Sequence, residues 1–337
     1  MKIRENPSLH GLNTFGIRAS AGLGFVIESE EDILSAPALN PARDLVLGGG
    51  SNVVLVNDIP GTVYLNRIMG IDMIGDEGDS CLVEVGAGES WHGLVQWSLD
   101  NGLSGLENLS LIPGCAGAAP IQNIGAYGVE LDTVVDRVSC WDWQTLAWAS
   151  FSREECDFSY RDSRFKSREP GRYLITSIRL RLSRKFQPRL SYSGLKDELQ
   201  RAGTHNPTAR DVSEAVIRVR RNKLPDPQVH GNAGSFFKNP VVTAEKAENL
   251  ITEHPDLPAW AQPDGDTKLS AAWMIERCGL KGTSIGDAEV SRQHSLVLVN
   301  RGNASGQDVA ELAALIKLRV YDEFGVELEP EPRLVQY

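Results

Sequence analysis

Ser235, Lys238 and Asn239 fall within five positions of one another in Gly231-Asn-Ala-Gly-Ser-Phe-Phe-Lys-Asn-Pro240, a segment with little side-chain bulk around the serine. A serine presented in this way has three chemical readings. It can be a nucleophile in an S-x-x-K arrangement with Lys238 as its base, a proton donor beside a cofactor, or a turn hydroxyl. The first needs a helix starting at the serine, which Pro240 would cut short. It also needs S-D-N and K-T-G partners, and the chain offers only Lys281-Gly-Thr283. A second group of reactive types lies at the end of the chain. Leu328-Glu-Pro-Glu-Pro-Arg-Leu-Val335 sets Glu329, Glu331 and Arg333 in an extended, proline-stiffened segment, which places the carboxylates rigidly. A third, Arg218-Val-Arg-Arg-Asn-Lys223, concentrates positive charge where an anionic small ligand could be held.

These groups need a scaffold, and the most distinctive stretch is Ile112-Pro-Gly-Cys-Ala-Gly-Ala-Ala-Pro-Ile-Gln-Asn-Ile-Gly-Ala-Tyr-Gly128, with four glycines and two prolines in seventeen residues. Its main-chain N–H groups can approach a bound group closely, with Gln122, Asn123 and Tyr127 left to orient it. A second low-bulk turn, Gly48-Gly-Gly-Ser-Asn52, lies upstream, and two such turns can hold two ends of one extended cofactor. The pattern around it is strand, turn, strand: Leu45-Val-Leu47 precedes the glycines and Val53-Val-Leu-Val56 follows. A Rossmann site would need a helix there. The nearest approach to that fingerprint, Val83-Glu-Val-Gly-Ala-Gly-Glu-Ser-Trp91, lacks the third glycine and reads as structural turn chemistry.

Periodicity places the remaining elements. Ser90 can cap a helix carrying Trp91, Leu94, Val95 and Leu99 on one face and ending at Asn101-Gly102. Strands are expected over 134–143, 146–151 and 173–182, with the aromatic, polar segment 158–166 as a loop between them. A helix is expected over 208–221, with Val212, Ala215, Val216 and Val219 inward, broken by Leu224-Pro-Asp-Pro227. Beyond it, helices over 244–252 and 270–278 precede a strand over 295–300. Ser305-Gly-Gln-Asp308 then reads as a capping box for a long helix through Phe324. Mixed strands and helices give α+β.

Composition bounds what these elements can serve. The chain has 337 residues, enough for two or three units of ordinary size, with 41% hydrophobic and 23% charged residues. No apolar run nears the ~18 residues of a membrane span, and the first residues carry no apolar leader, so a soluble cytoplasmic protein is expected. The five cysteines are scattered without a C-x-x-C pair and the six histidines without ligand spacing, which predicts free thiols and no metal centre. A net charge of −11 argues against nucleic acid as a partner.

Asn13-Thr-Phe, Leu47-Gly-Gly-Gly-Ser-Asn52, Ile112–Gly128, Tyr160-Arg161, Gly231–Pro240 and Leu328-Glu-Pro-Glu331 together resemble the UDP-N-acetylenolpyruvoylglucosamine reductases, the flavoenzymes of peptidoglycan precursor synthesis. The motifs occur in that family's order over nearly the whole chain. Pro188-Arg-Leu-Ser-Tyr192 and the insertion around 166–172 resemble its type I subgroup, in which a tyrosine loop closes over substrate. The resemblance implies a two-lobed FAD-binding domain of the vanillyl-alcohol-oxidase (PCMH) type at 1–223, with lobes of about 1–67 and 68–223. A smaller α+β substrate-binding domain at 224–328 and a segment at 329–337 returning to the flavin domain would follow.

Carried over motif by motif, the resemblance assigns flavin contacts to Gly48, Gly49, Gly50, Ser51, Asn52, Ile112, Gly114, Ile121, Gly125, Ala126, Tyr127, Gly128, Ile175, Arg220 and Arg333. Catalysis falls to Arg161, Ser235 and Glu331, and substrate contacts to Tyr192, Lys223, Asn239 and His294, a position that often holds glutamine in type I relatives. No histidine lies beside the flavin glycine turns, so the FAD is expected to be non-covalent. NADPH is the implied hydride donor, UDP-N-acetylglucosamine enolpyruvate the substrate, and a monomer the working form. A serine acyl-enzyme and a non-enzymatic nucleotide-sugar binder are the competing classes.

Overall fold

Alternating apolar residues in Ser80–Gly86 and Tyr173–Ser183 bury every second side chain, and the two strands pair antiparallel as the centre of a five-stranded sheet. The computed structural model describes residues 2–337 and divides the chain into two compact units. Unit 1 comprises 1–7, 20–50 and 59–222, and unit 2 comprises 8–19, 51–58 and 223–337.

Unit 1 is built on two sheets. The first runs in the order Lys2–Glu5, Ala21–Ile27, Ile59–Asn66, Leu45–Leu47, with an antiparallel first pair and parallel pairs thereafter. The second is wholly antiparallel, in the order Ala147–Ser152, Val135–Asp142, Tyr173–Ser183, Ser80–Gly86, Ile71–Asp76. Phe25, Ile27 and Tyr64 from the first sheet pack with Trp141, Trp143 and Leu174 from the second in one core cluster. Helix Trp91–Asp100 seals the other face, capped by the Ser90 hydroxyl accepting Gly93 N–H at 3.3 Å, with Trp91, Leu94 and Val95 buried. Helices Ser193–Arg201 and Ala209–Lys223 share a small core of Leu195, Leu199, Val212, Ala215 and Val216.

Unit 2 carries an antiparallel sheet in the order Gly231–Ser235, Val297–Asn300, Ala288–Val290, Ser284–Ile285, and a second of Val241–Val242, Thr267–Leu269 and Ala259–Ala261. Helix Gly306–Phe324 starts in the expected capping box, with Ser305 and Asp308 bonded reciprocally, and buries Val309, Leu312, Ile316 and Val320. Arg333–Val335 pairs in parallel with Val53–Leu55. The chain is α+β.

Two segments depart from the sequence expectation. Within the glycine-rich stretch, Ala116–Gln122 forms a 3₁₀ helix closed by bonds such as Ala118 N–H to the Cys115 carbonyl at 3.0 Å, because the small alanines permit a tight turn, and it ends at the left-handed Asn123. The loop expected over 158–166 contains a wide helical turn, Arg164–Arg168, drawn inward by the burial of Phe165. As the nearby Pro240 led one to expect, Ser235 does not start a helix; it lies at the end of a strand. All five cysteines are free thiols, and among the described residues no helix is long and apolar enough to cross a membrane.

Candidate functional site

In unit 1 the two low-bulk turns meet. A Cβ added at Gly49 would lie 2.8 Å from the Gly114 Cα, closer than real Cβ atoms approach, so only glycine lets these two backbones pass. Arg67 holds the turn from below, its Nη1 donating to the carbonyls of Gly48 at 3.0 Å and Asn66 at 2.8 Å. The other glycine pair behaves differently. Gly86 N–H and Gly88 N–H are bonded to the carbonyls of Gly70 at 2.8 Å and Ile68 at 2.7 Å, so their amides are spent inside the unit and the Gly86-Ala-Gly88 turn is structural.

The far end of the glycine-rich stretch is strained and polar. Asn123, Tyr127 and Arg161 all have left-handed backbones, at φ +44°, +52° and +57°. Asn123 is buried and ties three segments together: its Nδ2 donates to Glu130 Oε2 at 3.0 Å and to the Ser159 carbonyl at 3.2 Å, while its Oδ1 accepts Asp132 N–H at 3.0 Å. Gly125 and Ala126 pair with Val129 and Glu130 in a two-residue ribbon. The Gly125 carbonyl accepts Arg161 Nη2 at 2.7 Å, and the Arg161 guanidinium lies 5.4 Å from the centre of the Tyr160 ring.

Tyr127 and Tyr192 meet edge to face with centroids 4.9 Å apart, and burial pushes the Tyr127 hydroxyl up to about 12. Burial pushes the Arg220 guanidinium down from its ordinary value, opposed by Tyr127, and its Nε is shielded without a hydrogen-bond partner among the described residues. An anionic ligand oxygen would satisfy that donor. His92 is pushed down by burial and by Arg220 and Arg221, and its Nδ1 accepts Leu111 N–H at 3.0 Å. Of the other expected flavin residues in this unit, Ile175 is buried with its carbonyl held by Asn66 Nδ2 at 2.8 Å, whereas Ile121 and Gly128 are exposed.

Unit 2 brings Ser235, Asn52 and Glu331 together. Gly234 at φ +73° and a register shift between Asn232 and Ser235 form a bulge that ends the strand at the serine. Asn232 holds that bulge, accepting Gly234 N–H at 2.9 Å, and is itself clamped by Thr14, whose hydroxyl donates to the Asn232 carbonyl at 2.7 Å. One residue beyond the serine, the Phe236 carbonyl accepts Glu331 N–H at 2.8 Å. Asn52 brackets Glu331 from the other side: its Nδ2 donates to the Glu331 carbonyl at 3.2 Å and its own carbonyl accepts Arg333 N–H at 3.0 Å. Lys238 forms an ion pair with Glu329, so it is not a free base beside Ser235. Together with the strand conformation this excludes the S-x-x-K reading.

Of the substrate residues expected in unit 2, Asn239 has its Oδ1 fixed by Ala271 N–H at 3.1 Å, and Lys223 is exposed. His294 is pushed down first by burial and then by Lys223 and Lys281. Sequence reasoning missed Arg67 and the role of Thr14 as a clamp. Asn123, expected to orient a bound group, instead ties protein segments together. Thr14 stood in the Asn13-Thr-Phe motif without a role, and nothing local marks Arg67.

The UDP-N-acetylenolpyruvoylglucosamine reductase C-terminal domain model matches residues 226–335, and an FAD binding domain model matches 25–144. UDP-N-acetylenolpyruvoylglucosamine reductase of Pseudomonas aeruginosa is 49% identical over 337 residues, covering 99% of both chains. That of Chromobacterium violaceum is 46% identical with the same coverage, and that of Escherichia coli O6:H1 is 47% identical over 98% of this chain and 96% of its own. The crystal structure of UDP-N-acetylenolpyruvylglucosamine reductase from Thermus caldophilus superposes with a TM-score of 0.69 at 29% identity, covering 99% of this chain and 100% of the other.

Proposed function

The chain belongs to the UDP-N-acetylenolpyruvoylglucosamine reductase family, and from that premise we propose that Ser235, Glu331 and Arg161 carry its chemistry. It is an FAD-dependent oxidoreductase that reduces the enolpyruvyl ether of UDP-N-acetylglucosamine enolpyruvate to UDP-N-acetylmuramate, a step of peptidoglycan precursor synthesis. NADPH is the hydride donor, the cytoplasm the compartment and a monomer the working form in this reading. The flavin region is taken as 1–223, with lobes of about 1–67 and 68–223, the substrate domain as 224–328, and 329–337 as a segment returning to the flavin domain.

The residues present fit a non-covalent flavin dinucleotide. At Gly49 the turn packs so closely on Gly114 that a Cβ has no room, and the shielded Arg220 Nε lacks an acceptor. The contacts proposed to hold it are Gly48, Gly49, Gly50, Ser51, Asn52, Ile112, Gly114, Ile121, Gly125 to Gly128, Ile175, Arg220 and Arg333. When bound, FAD supplies reversible two-electron hydride chemistry.

What this chain must do is manage the charge and the proton. Hydride addition at the terminal vinyl carbon leaves negative charge on the adjacent carbon, spread into the carboxylate. Arg161 stabilises that charge, and Glu331 adds a hydrogen bond to it when its carboxyl carries a proton. The Ser235 Oγ–H then transfers its proton to the carbon and the oxygen is reprotonated from solvent, so that position and that resupply count more than acidity. Tyr192, Lys223, Asn239 and His294 are proposed to hold the nucleotide sugar, with Lys223 matched to the diphosphate.

The observation that carries this reading is the placement of Ser235 on a glycine bulge beside the Phe236 carbonyl that fixes Glu331. The test is Ser235→Ala in the purified, yellow enzyme. Bleaching of the flavin band by NADPH should proceed at close to the normal rate, and reoxidation by the enolpyruvyl substrate should slow by roughly 10²–10⁴-fold. Reoxidation at the wild-type rate, or an equal loss in both steps, removes the proton-donor role.

A further inference from the structure

Lys238 is the one reactive group of the Ser235 segment that the proposed chemistry leaves unused, and it is not placed idly. Its ammonium is ion-paired with Glu329 at 2.5 Å, and its side chain is only 13% exposed although Glu329 is 64% exposed. The pair is reinforced by the backbone, since Lys238 N–H donates to the Glu329 carbonyl at 2.9 Å. Phe237 bridges antiparallel to Pro330, and the Phe236 carbonyl accepts Glu331 N–H. Residues 236–238 and 329–331 therefore form a short antiparallel ribbon. One side of it is anchored by Phe236 and Phe237, both buried and packed edge to face at 5.2 Å.

Backbone bonds at both ends set the register of the 329–331 side, the Lys238–Glu329 ion pair is the side-chain contact that adds to them, and Pro330 and Pro332 flank Glu331 with φ locked near −65°. A flexible linker would absorb a shift at Glu329. A proline on each side of Glu331 passes it on to the carboxylate instead. We propose that Lys238 is a positioning residue for Glu331, acting through its ion pair with Glu329 and the proline-stiffened Glu329-Pro-Glu-Pro332 segment. The contacts that fix it are with Glu329. An ion pair with one partner exposed to solvent contributes little to stability by itself, but a displacement of about 1 Å at a reacting group can cost on the order of 10²-fold in rate. The effect belongs in catalysis more than in folding.

The inference rests on Ser235 and Glu331 acting in the second half-reaction, so Ser235→Ala is run alongside. In Lys238→Met, reoxidation of the reduced enzyme by the enolpyruvyl substrate should slow by roughly 10-fold through kcat. Flavin reduction by NADPH and the KM for the nucleotide sugar should stay near wild type. Lys238→Arg, which keeps the charge and the reach, should restore most of the rate. Glu329→Gln should reproduce the Lys238→Met loss, and the double variant should lose no more than either single one. Wild-type reoxidation in Lys238→Met while Ser235→Ala remains slow would overturn the inference alone. Normal reoxidation in Ser235→Ala would instead overturn the functional reading beneath it. Equal losses in both half-reactions, or additive losses in the double variant, would show that Lys238 merely supports the fold.

Discussion

Arg161 donates from Nη2 to the Gly125 carbonyl at 2.7 Å while its own backbone is held at φ +57°, so a strained residue is locked onto the glycine-rich segment proposed to hold the flavin. Such a conformation in a non-glycine residue costs about 1–3 kcal/mol and persists only where the surroundings over-determine it. Here Lys166 Nζ donates to the Arg161 carbonyl at 3.1 Å and helps to fix it. Arg161→Lys keeps the charge but loses the planar fork, and should slow reoxidation by substrate by roughly 10²-fold with little change in flavin reduction. Gly125→Ala should act in the same direction, because its Cβ would lie 2.9 Å from Arg161 Nη1. Stopped-flow traces of the two half-reactions decide it; an unchanged reoxidation rate in Arg161→Lys would exclude the electrostatic role.

Gly49→Val places a branched side chain where even a Cβ would come within 2.8 Å of the Gly114 backbone. Overpacking of this kind costs about 1–3 kcal/mol, and here it separates the two turns assigned to the cofactor. The variant should purify with a reduced ratio of FAD to protein, read from the visible absorbance after denaturation. Full occupancy would mean that these turns do not hold the flavin.

Tyr192→Phe keeps the ring packed against Tyr127 and removes only the hydroxyl. Loss of one hydrogen bond of about 1 kcal/mol should raise the KM for the nucleotide sugar by roughly 5-fold. NADPH oxidation with an artificial acceptor should remain near normal. Equal losses in both assays would assign the tyrosine to structure.

His294 is held below its ordinary pKa by burial, then by Lys223 and Lys281, and its Nδ1 accepts Leu296 N–H at 3.2 Å, so the neutral ring is the native form. In the unfolded chain the ring takes up a proton near pH 6.5. Stability is therefore lost as pH falls below about 6.5, where the unfolded chain takes up a proton that the folded ring resists. His294→Gln should narrow the difference in urea midpoint between pH 7.5 and pH 5.5. An unchanged difference would show that the ring titrates alike in both states.

Much of this protein was legible in its residues because the determining interactions are local. The period-two burial of Tyr173–Ser183, the Ser90 cap and the Ser305–Asp308 capping box each depend on residues a few positions apart, and each formed where the pattern placed it. The glycine-rich segments were equally plain, since a run without side chains has few purposes other than close backbone approach. Tertiary structure alone decided what those segments approach. Thr14 clamps the Ser235 strand from 218 positions away, and Asn52 reaches Glu331 across 279. No periodicity records such a pairing, because it is set by the register of whole sheets and the closure of long loops, and not by any preference of the residues that meet. The same holds for Lys238. In the sequence it stands three residues after a serine like a catalytic base; in the fold its charge is paired with Glu329 and faces a different task.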